Sequence, residues 1–101
     1  MVEKVVWSKE AARERNEILA YWNERNKSNV YSMKLLDLIR NAIETIKLFP
    51  EIGIPTSRPD TRLKIVRDYF IVYKIEKERL LILSFWDARQ DPNQLKNIIL
   101  L

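Results

Sequence analysis

The 101-residue sequence contains no cysteine and no histidine. The absence of cysteine excludes a disulfide framework and a thiol nucleophile, and it agrees with the reducing conditions of the cytoplasm. The absence of histidine removes the commonest proton carrier in catalysis and a frequent metal ligand. The carboxylates are not paired or spaced as metal ligands. We therefore expect neither a metal nor a cofactor.

Long apolar runs are also missing, because no run approaches the ~20 residues that cross a bilayer. The N-terminal residues lack the apolar core of a signal peptide. These two absences predict a cytoplasmic protein without a membrane partner.

Glycine is almost absent: Gly53 is the only one, and three of the four prolines fall within residues 50–59. This concentration predicts one irregular crossing between two regularly structured parts of the chain. The length suits a single domain over residues 1–101 that folds without metal or disulfide staples.

The part before the crossing has the pattern of one strand and two helices. Val2–Trp7 is a β-like run that suits an edge strand, and Ser8 can cap a helix that ends near Arg25. After a short polar joint, Ser28 can cap a second helix that runs to Leu48. So short a joint predicts an antiparallel helical hairpin. The apolar stripe of the first helix places Trp22 in the core.

The part after the crossing, residues 62–86, contains three runs rich in β-branched and aromatic residues. Two short polar breaks divide them, which predicts a three-stranded antiparallel meander. In its first strand, Leu63 and Ile65 are expected on the face that the helices cover. Arg62 and Lys64 then lie on the open face. The predicted fold is α+β, with an N-terminal strand, a helical hairpin packed on one side of an antiparallel sheet, and a short C-terminal helix over residues 93–101.

Positive charge collects beside this meander. The net charge is +4, and within residues 58–67 a single carboxylate, Asp60, accompanies four cations: Arg58, Arg62, Lys64 and Arg67. Such a cluster on an open sheet face suits a polyanion, although an ordinary solvated surface has the same composition.

Several segments, in their order and spacing, resemble the RelE/ParE family of bacterial toxins. They are Trp-Ser near the start, Phe-Pro-Glu-Ile-Gly at 49–53, Arg-Leu-Lys-Ile-Val-Arg-Asp-Tyr-Phe-Ile-Val-Tyr-Lys-Ile at 62–75, and Leu-Leu-Ile-Leu-Ser-Phe-Trp-Asp-Ala-Arg-Gln at 80–90. The resemblance covers nearly the whole chain. It implies a RelE/ParE-like fold and a growth inhibitor from a type II toxin–antitoxin pair, of the kind that serves plasmid stabilisation. An antitoxin encoded beside the toxin would neutralise it.

The resemblance leaves the target open, because the family divides. RelE-like members enter the ribosome and cut mRNA, whereas ParE-like members poison DNA gyrase. A shared fold does not choose between these activities.

RelE-like enzymes work with Lys, Arg and Tyr side chains, and matching positions exist here. They imply a metal-independent endoribonuclease, or mRNA interferase, with Lys64 as a base and with Arg67 and Arg89 bracing the phosphate. Arg62, Phe85, Trp86 and Gln90 are the corresponding RNA-binding candidates, the aromatic rings by stacking on bases.

Each of these assignments has a plainer alternative. Arg62 and Lys64 can form a solvated face that acidic antitoxin groups cover, Arg67 can close a turn, and Phe85 or Trp86 can belong to the core. The C-terminal region also lacks the Tyr or His that joins the scissile step in RelE-like toxins. We place mRNA cleavage first among three functions. A gyrase poison and an inactive member that only binds its antitoxin remain open.

Overall fold

The computed structural model describes residues 2–89, which form two helices and five strands. In chain order they are β1 (Lys4–Trp7), α1 (Lys9–Asn26), α2 (Val30–Leu48), β2 (Ile54–Pro55), β3 (Thr61–Val66), β4 (Tyr69–Glu76) and β5 (Arg79–Asp87). The expected C-terminal helix over residues 93–101 lies outside the described residues, as does Gln90.

Both predicted helices are confirmed to within a few residues. The Ser8 hydroxyl accepts a hydrogen bond from the first turn of α1 (3.0 Å) and donates one to the Leu83 carbonyl (3.1 Å), which ties the start of this helix to β5. The second cap was assigned one residue too early, because Asn29 occupies the N-cap position of α2. The Ser28 hydroxyl instead accepts from the Val30 N–H (3.2 Å).

The five strands form one mixed sheet in the order β1-β5-β4-β3-β2. The meander of β3, β4 and β5 is antiparallel, as predicted, and β1 is the predicted edge strand. However, β1 pairs parallel to β5, so the expectation of a wholly antiparallel sheet was wrong. The helical hairpin and the crossing supply the long connection that a parallel pair requires. The crossing also contains β2, which pairs with β3 at the other edge.

The two faces of β3 are the reverse of the prediction. Arg62 lies opposite Tyr73, and Lys64 lies opposite Ile71. Residues directly opposite in an antiparallel pair share a face, and both β4 partners belong to the core beneath the helices. Arg62 and Lys64 therefore lie on the helix side of the sheet, whereas Ile65 lies on the other side and is 51% exposed.

The strand β4 explains this reversal, because it carries apolar residues on both of its faces. The alternation in β3 therefore agrees with either orientation, and packing under the helices decides between them. The core combines residues from α1, α2, β3, β4 and β5 with Val2: Val2, Ala11, Leu35, Ile39, Ala42, Ile43, Ile46, Val66, Tyr69, Ile71, Tyr73, Leu80, Ile82 and Phe85. Within the described range, neither helix is long and apolar enough to cross a membrane.

Candidate functional site

Arg62, one of the cations that lie close together in the sequence, is used within the fold. Its Nη1 donates to the carbonyl oxygens of Glu51 (3.1 Å) and Gly53 (2.8 Å). The guanidinium thus fastens the crossing segment to the sheet. The substrate-binding role expected for Arg62 needs this same group, which is already engaged within the chain.

Lys64 and Arg67 are placed differently from each other. Lys64 is half-buried on the helix side of β3, and within residues 2–89 it makes no ion pair. Arg67 is exposed in the tight turn between β3 and β4, with a left-handed backbone (φ 55°). Its position confirms the plainer reading that Arg67 closes a turn. Neither residue lines the pocket that Arg89 borders, although Arg67 adjoins Asp68, whose Oδ2 lies 3.8 Å from Arg89 Nη1.

Arg89 follows β5 and is held by carboxylates. Its Nε and Nη2 donate to the two carboxylate oxygens of Asp87 (3.0 and 3.1 Å), and Nη1 lies 3.8 Å from Asp68 Oδ2. The hydrogen bond with Asp87 raises the pKa of Arg89. Burial acts to raise the pKa of Asp87, but the hydrogen bonds and charge of Arg89 outweigh it and lower that pKa. The pair is therefore ionised, and Asp87 compensates the charge of Arg89.

Arg89 borders a groove between α1 and the end of β5, with a volume of about 610 Å³. We call it the aromatic groove. Its lining residues are Arg13, Glu14, Glu17, Ile18, Tyr21, Trp22, Arg25, Tyr69, Phe85, Trp86, Asp87 and Arg89. Of the residues predicted from sequence, Arg89, Phe85 and Trp86 meet here.

Tyr69 lies at the bottom of the groove and is 1% exposed. Its ring stacks on Phe85, with 5.2 Å between centroids and 17° between planes. The hydroxyl oxygen accepts hydrogen bonds from Trp22 Nε1 (2.7 Å) and Arg89 Nη2 (3.4 Å). Burial, more than any other cause, raises the pKa of Tyr69, so its hydroxyl stays protonated at neutral pH.

Phe85 is itself 1% exposed, which contradicts its expected role as a stacking platform for an RNA base. Of the adjacent pair, Phe85 is the core residue, because β5 turns successive side chains to opposite faces. Trp86 is half-buried, and its Nε1 is buried without a hydrogen-bond partner among the described residues. Its role in stacking stays a prediction.

Trp22 forms a wall of the groove and is half-buried, whereas the apolar stripe predicted a core residue. The guanidinium groups of Arg25 and Arg89 lie 6.0 and 5.9 Å from its ring centroid. The rings of Tyr21 and Tyr31 meet it edge-on, at 5.1 and 4.9 Å. Cations at this distance favour an aromatic face by about 0.5–1 kcal/mol each at exposed sites.

Glu14 closes one side of the groove by joining α1 to β5. Its Oε1 accepts from Ser84 Oγ (3.0 Å) and from the Phe85 N–H (3.1 Å), next to the irregular pairing at Val72 and Tyr73. Burial raises the pKa of Glu14, and the two hydrogen bonds only partly offset it. Between residues 2 and 89, no three acidic side chains stand close enough to hold a metal ion.

Sequence reasoning did not single out Tyr69, Tyr21 or Arg25 as site residues. The available signal was the spacing in α1, where Tyr21 and Trp22 stand next to each other and Arg25 follows one turn later. Residues three or four apart share a helix face, so this pattern indicates an aromatic patch with a cation beside it.

Two comparisons with known proteins agree with the architecture of two helices on a five-stranded mixed sheet. Residues 5–92 match the family model described as the ParE toxin of the type II toxin–antitoxin system parDE. A solved structure described as the chromosomal ParDE TA system from P. aeruginosa has the same fold. Its TM-score is 0.60 at 15% identity, and the match covers 87% of this chain and 98% of that chain. A search of the curated proteins gives no match.

The fold is thus that of the RelE/ParE toxins, as the sequence resemblance implied. Because the family model spans most of the chain, the chain belongs to the ParE toxin family of type II toxin–antitoxin systems. Membership of a two-protein system implies an antitoxin partner.

Proposed function

We propose that this protein stops growth by binding DNA gyrase and that it does not cut mRNA. The observation that carries the proposal is that, within residues 2–89, the cations that RelE-like cleavage would require do not line one pocket. Arg62 holds backbone carbonyls, Arg67 lies in a turn, and Arg89 is paired with Asp87. The match to a ParE family model, within a family that divides by target, favours the same branch.

The chemistry of RNA cleavage gives the physical reason. A 2′-hydroxyl must lose its proton, the leaving oxygen must gain one, and cations must meet the charge of the transition state at one place. Lys64 lies on the helix side of β3 and outside the aromatic groove, in which Arg89 lies. Tyr69 does lie beside Arg89, but Lys64 does not line the groove that these two residues share. Inhibition by binding requires only a complementary surface.

A supercoiling assay with purified gyrase and an excess of toxin tests the proposal. We expect loss of supercoiling or accumulation of a trapped cleavage complex. The variant Lys64→Gln should inhibit equally well, because inhibition by binding does not require the candidate base of mRNA cleavage.

Translating ribosomes provide the opposing assay. Codon-specific cuts in mRNA at the ribosomal A site, lost in Lys64→Gln, would overturn the proposal in favour of an mRNA interferase. Normal growth of cells that express the toxin without its antitoxin would instead indicate a member that has kept its partner and lost its activity.

A further inference from the structure

The hydroxyl group of Tyr69 has a hydrogen that no described residue accepts. Its oxygen accepts from Trp22 Nε1 and from Arg89 Nη2, which occupies both acceptor positions. Within residues 2–89, no acceptor takes the hydroxyl hydrogen. Tyr69 is 1% exposed, and it lines the aromatic groove. A buried donor without an acceptor is costly, so the groove is suited to a ligand oxygen at this point.

Arg25 adds a second donor group on the same groove. Its guanidinium lies over Trp22, and its Nη1 donates to the Tyr21 hydroxyl (3.4 Å). Among the described residues it has no carboxylate partner. The other two arginines of the groove differ, because Arg13 pairs with Glu17 and Arg89 pairs with Asp87. One uncompensated positive charge and one hydroxyl donor therefore line the same groove.

The remaining charges of the groove limit what it can accept. Glu14, Glu17 and Asp87 are carboxylates on its lining, and they oppose the repeated charges of a nucleic acid backbone. A single carboxylate on a protein segment adds one negative charge, so it meets the two donors with less repulsion. The aromatic rings of Tyr21 and Trp22 provide apolar contact for the rest of such a segment. The volume of about 610 Å³ is within the range of pockets that take a few side chains.

We propose that the aromatic groove receives an Asp or Glu side chain of the antitoxin, with the Tyr69 hydroxyl and the Arg25 guanidinium as its donors. The occupant is an antitoxin segment because membership of the toxin–antitoxin family supplies that partner. The inference does not depend on gyrase being the target.

The test uses the toxin together with the antitoxin encoded beside it. Tyr69→Phe removes the hydroxyl and keeps the stacked ring, and Arg25→Gln removes the free charge. Hydrogen bonds to charged groups contribute enough that each variant should weaken the complex about tenfold or more, as measured by calorimetry. Arg40→Gln makes the same chemical change on α2, outside the groove, and should leave the affinity within about twofold.

A double-mutant cycle separates a direct contact from a structural effect of Tyr69→Phe on Trp22 and Arg89. Each Asp and Glu of the antitoxin is replaced by Asn or Gln and measured against both toxin variants. We expect one antitoxin position at which the substitution weakens binding to the unmodified toxin. The same substitution should have little further effect on binding to Tyr69→Phe or Arg25→Gln toxin. The absence of any coupled position would overturn the proposal.

The proposal would also be overturned if both variants bound the antitoxin normally and lost only gyrase inhibition. In that case the groove would bind the target instead of the antitoxin. A different outcome, in which unmodified toxin fails to inhibit gyrase, rejects the proposed function. It leaves this inference standing on the antitoxin data.

Discussion

Tyr73 and Tyr69 lie on the same face of β4, and both are buried in the core, yet their hydroxyl groups are used in opposite ways. The Tyr73 hydroxyl accepts from the Gly53 N–H (2.9 Å) and donates to the Pro50 carbonyl (2.8 Å). Its hydrogen-bonding capacity is directed into the chain itself. The Tyr69 hydroxyl accepts from Trp22 and Arg89, and it keeps its hydrogen for a group outside the described residues.

The surroundings of the two tyrosines differ in the same way. Beside Tyr73, the guanidinium of Arg62 holds two backbone carbonyls of the crossing. Beside Tyr69, the guanidinium groups of Arg25 and Arg89 lie over an aromatic ring at the edge of a groove. One end of β4 therefore stabilises the fold, and the other presents donors to a partner. This division can be measured by substitutions at each end of β4, beginning with the end that stabilises the fold.

The largest effect on stability is expected from Gly53→Ala. A Cβ at this position would lie 2.6 Å from Tyr73 Oη and 2.8 Å from its Cε1, closer than van der Waals contact allows. The ring of Tyr73 is fixed in the core, so the clash should lower the free energy of unfolding by about 3 kcal/mol, at the upper end for overpacking. Urea unfolding measures it.

Glu51→Ala is the matched control for this substitution. It lies two residues away, its side chain is exposed, and only its backbone carbonyl contacts Arg62. We expect a change within about 0.5 kcal/mol. If both substitutions proved equally mild, the close packing of the crossing against Tyr73 would be rejected.

Tyr73→Phe should follow, with a loss of about 2 kcal/mol in the free energy of unfolding. The substitution leaves the Gly53 N–H and the Pro50 carbonyl without their partner in a buried setting. The free energy of unfolding of Tyr69→Phe, measured in parallel, should fall less. Only the Trp22 N–H then loses its partner, because Arg89 keeps its hydrogen bonds to Asp87. A larger loss for Tyr69→Phe would contradict the division.

These structural roles show what the sequence can and cannot predict. The helices, the meander and the edge strand follow from local periodicity and turn residues, and the structure confirms them. The parallel pairing of β1 with β5 joins residues far apart in the chain, and no local pattern encodes it. The faces of β3 were misassigned because Arg62 and Lys64 look like solvent-facing residues, whereas β4 sets the register.

The site was harder to predict than the fold for a related reason. Tyr69 and Trp22 both look like core residues in the sequence, and they are separated by 47 positions. Only the packing of α1 on β5 brings them together and leaves one hydroxyl hydrogen unused. Arg89, which the sequence suggested as a phosphate-bracing residue, does line the groove, but Asp87 compensates its charge and its catalytic role stays a prediction.

The smallest effect concerns Glu14, which joins the groove to the sheet. Burial raises its pKa in the folded protein above its ordinary value of 4.5. Between these two values the folded state binds more protons than the unfolded state, so stability decreases as pH rises through this interval. Glu14→Gln removes this dependence and keeps an oxygen for Ser84 and Phe85.

The measurement is the difference in unfolding free energy between the unmodified protein and Glu14→Gln, taken at several pH values from about 4.5 to 7. The unmodified protein should gain relative to the variant as the pH is lowered. Glu17→Gln, at an exposed carboxylate of the same helix, serves as the control for the substitution itself. A constant difference for Glu14→Gln across the range would show that the carboxylate is not perturbed by burial.

The division between the two ends of β4 is tested most directly by the affinity of the antitoxin for Tyr69→Phe and Tyr73→Phe, measured side by side on folded protein. The account predicts that Tyr69→Phe weakens the complex about tenfold or more, whereas Tyr73→Phe leaves it within about twofold despite its larger loss of stability. Equal affinities for the two variants, or a weaker complex for Tyr73→Phe, would contradict it.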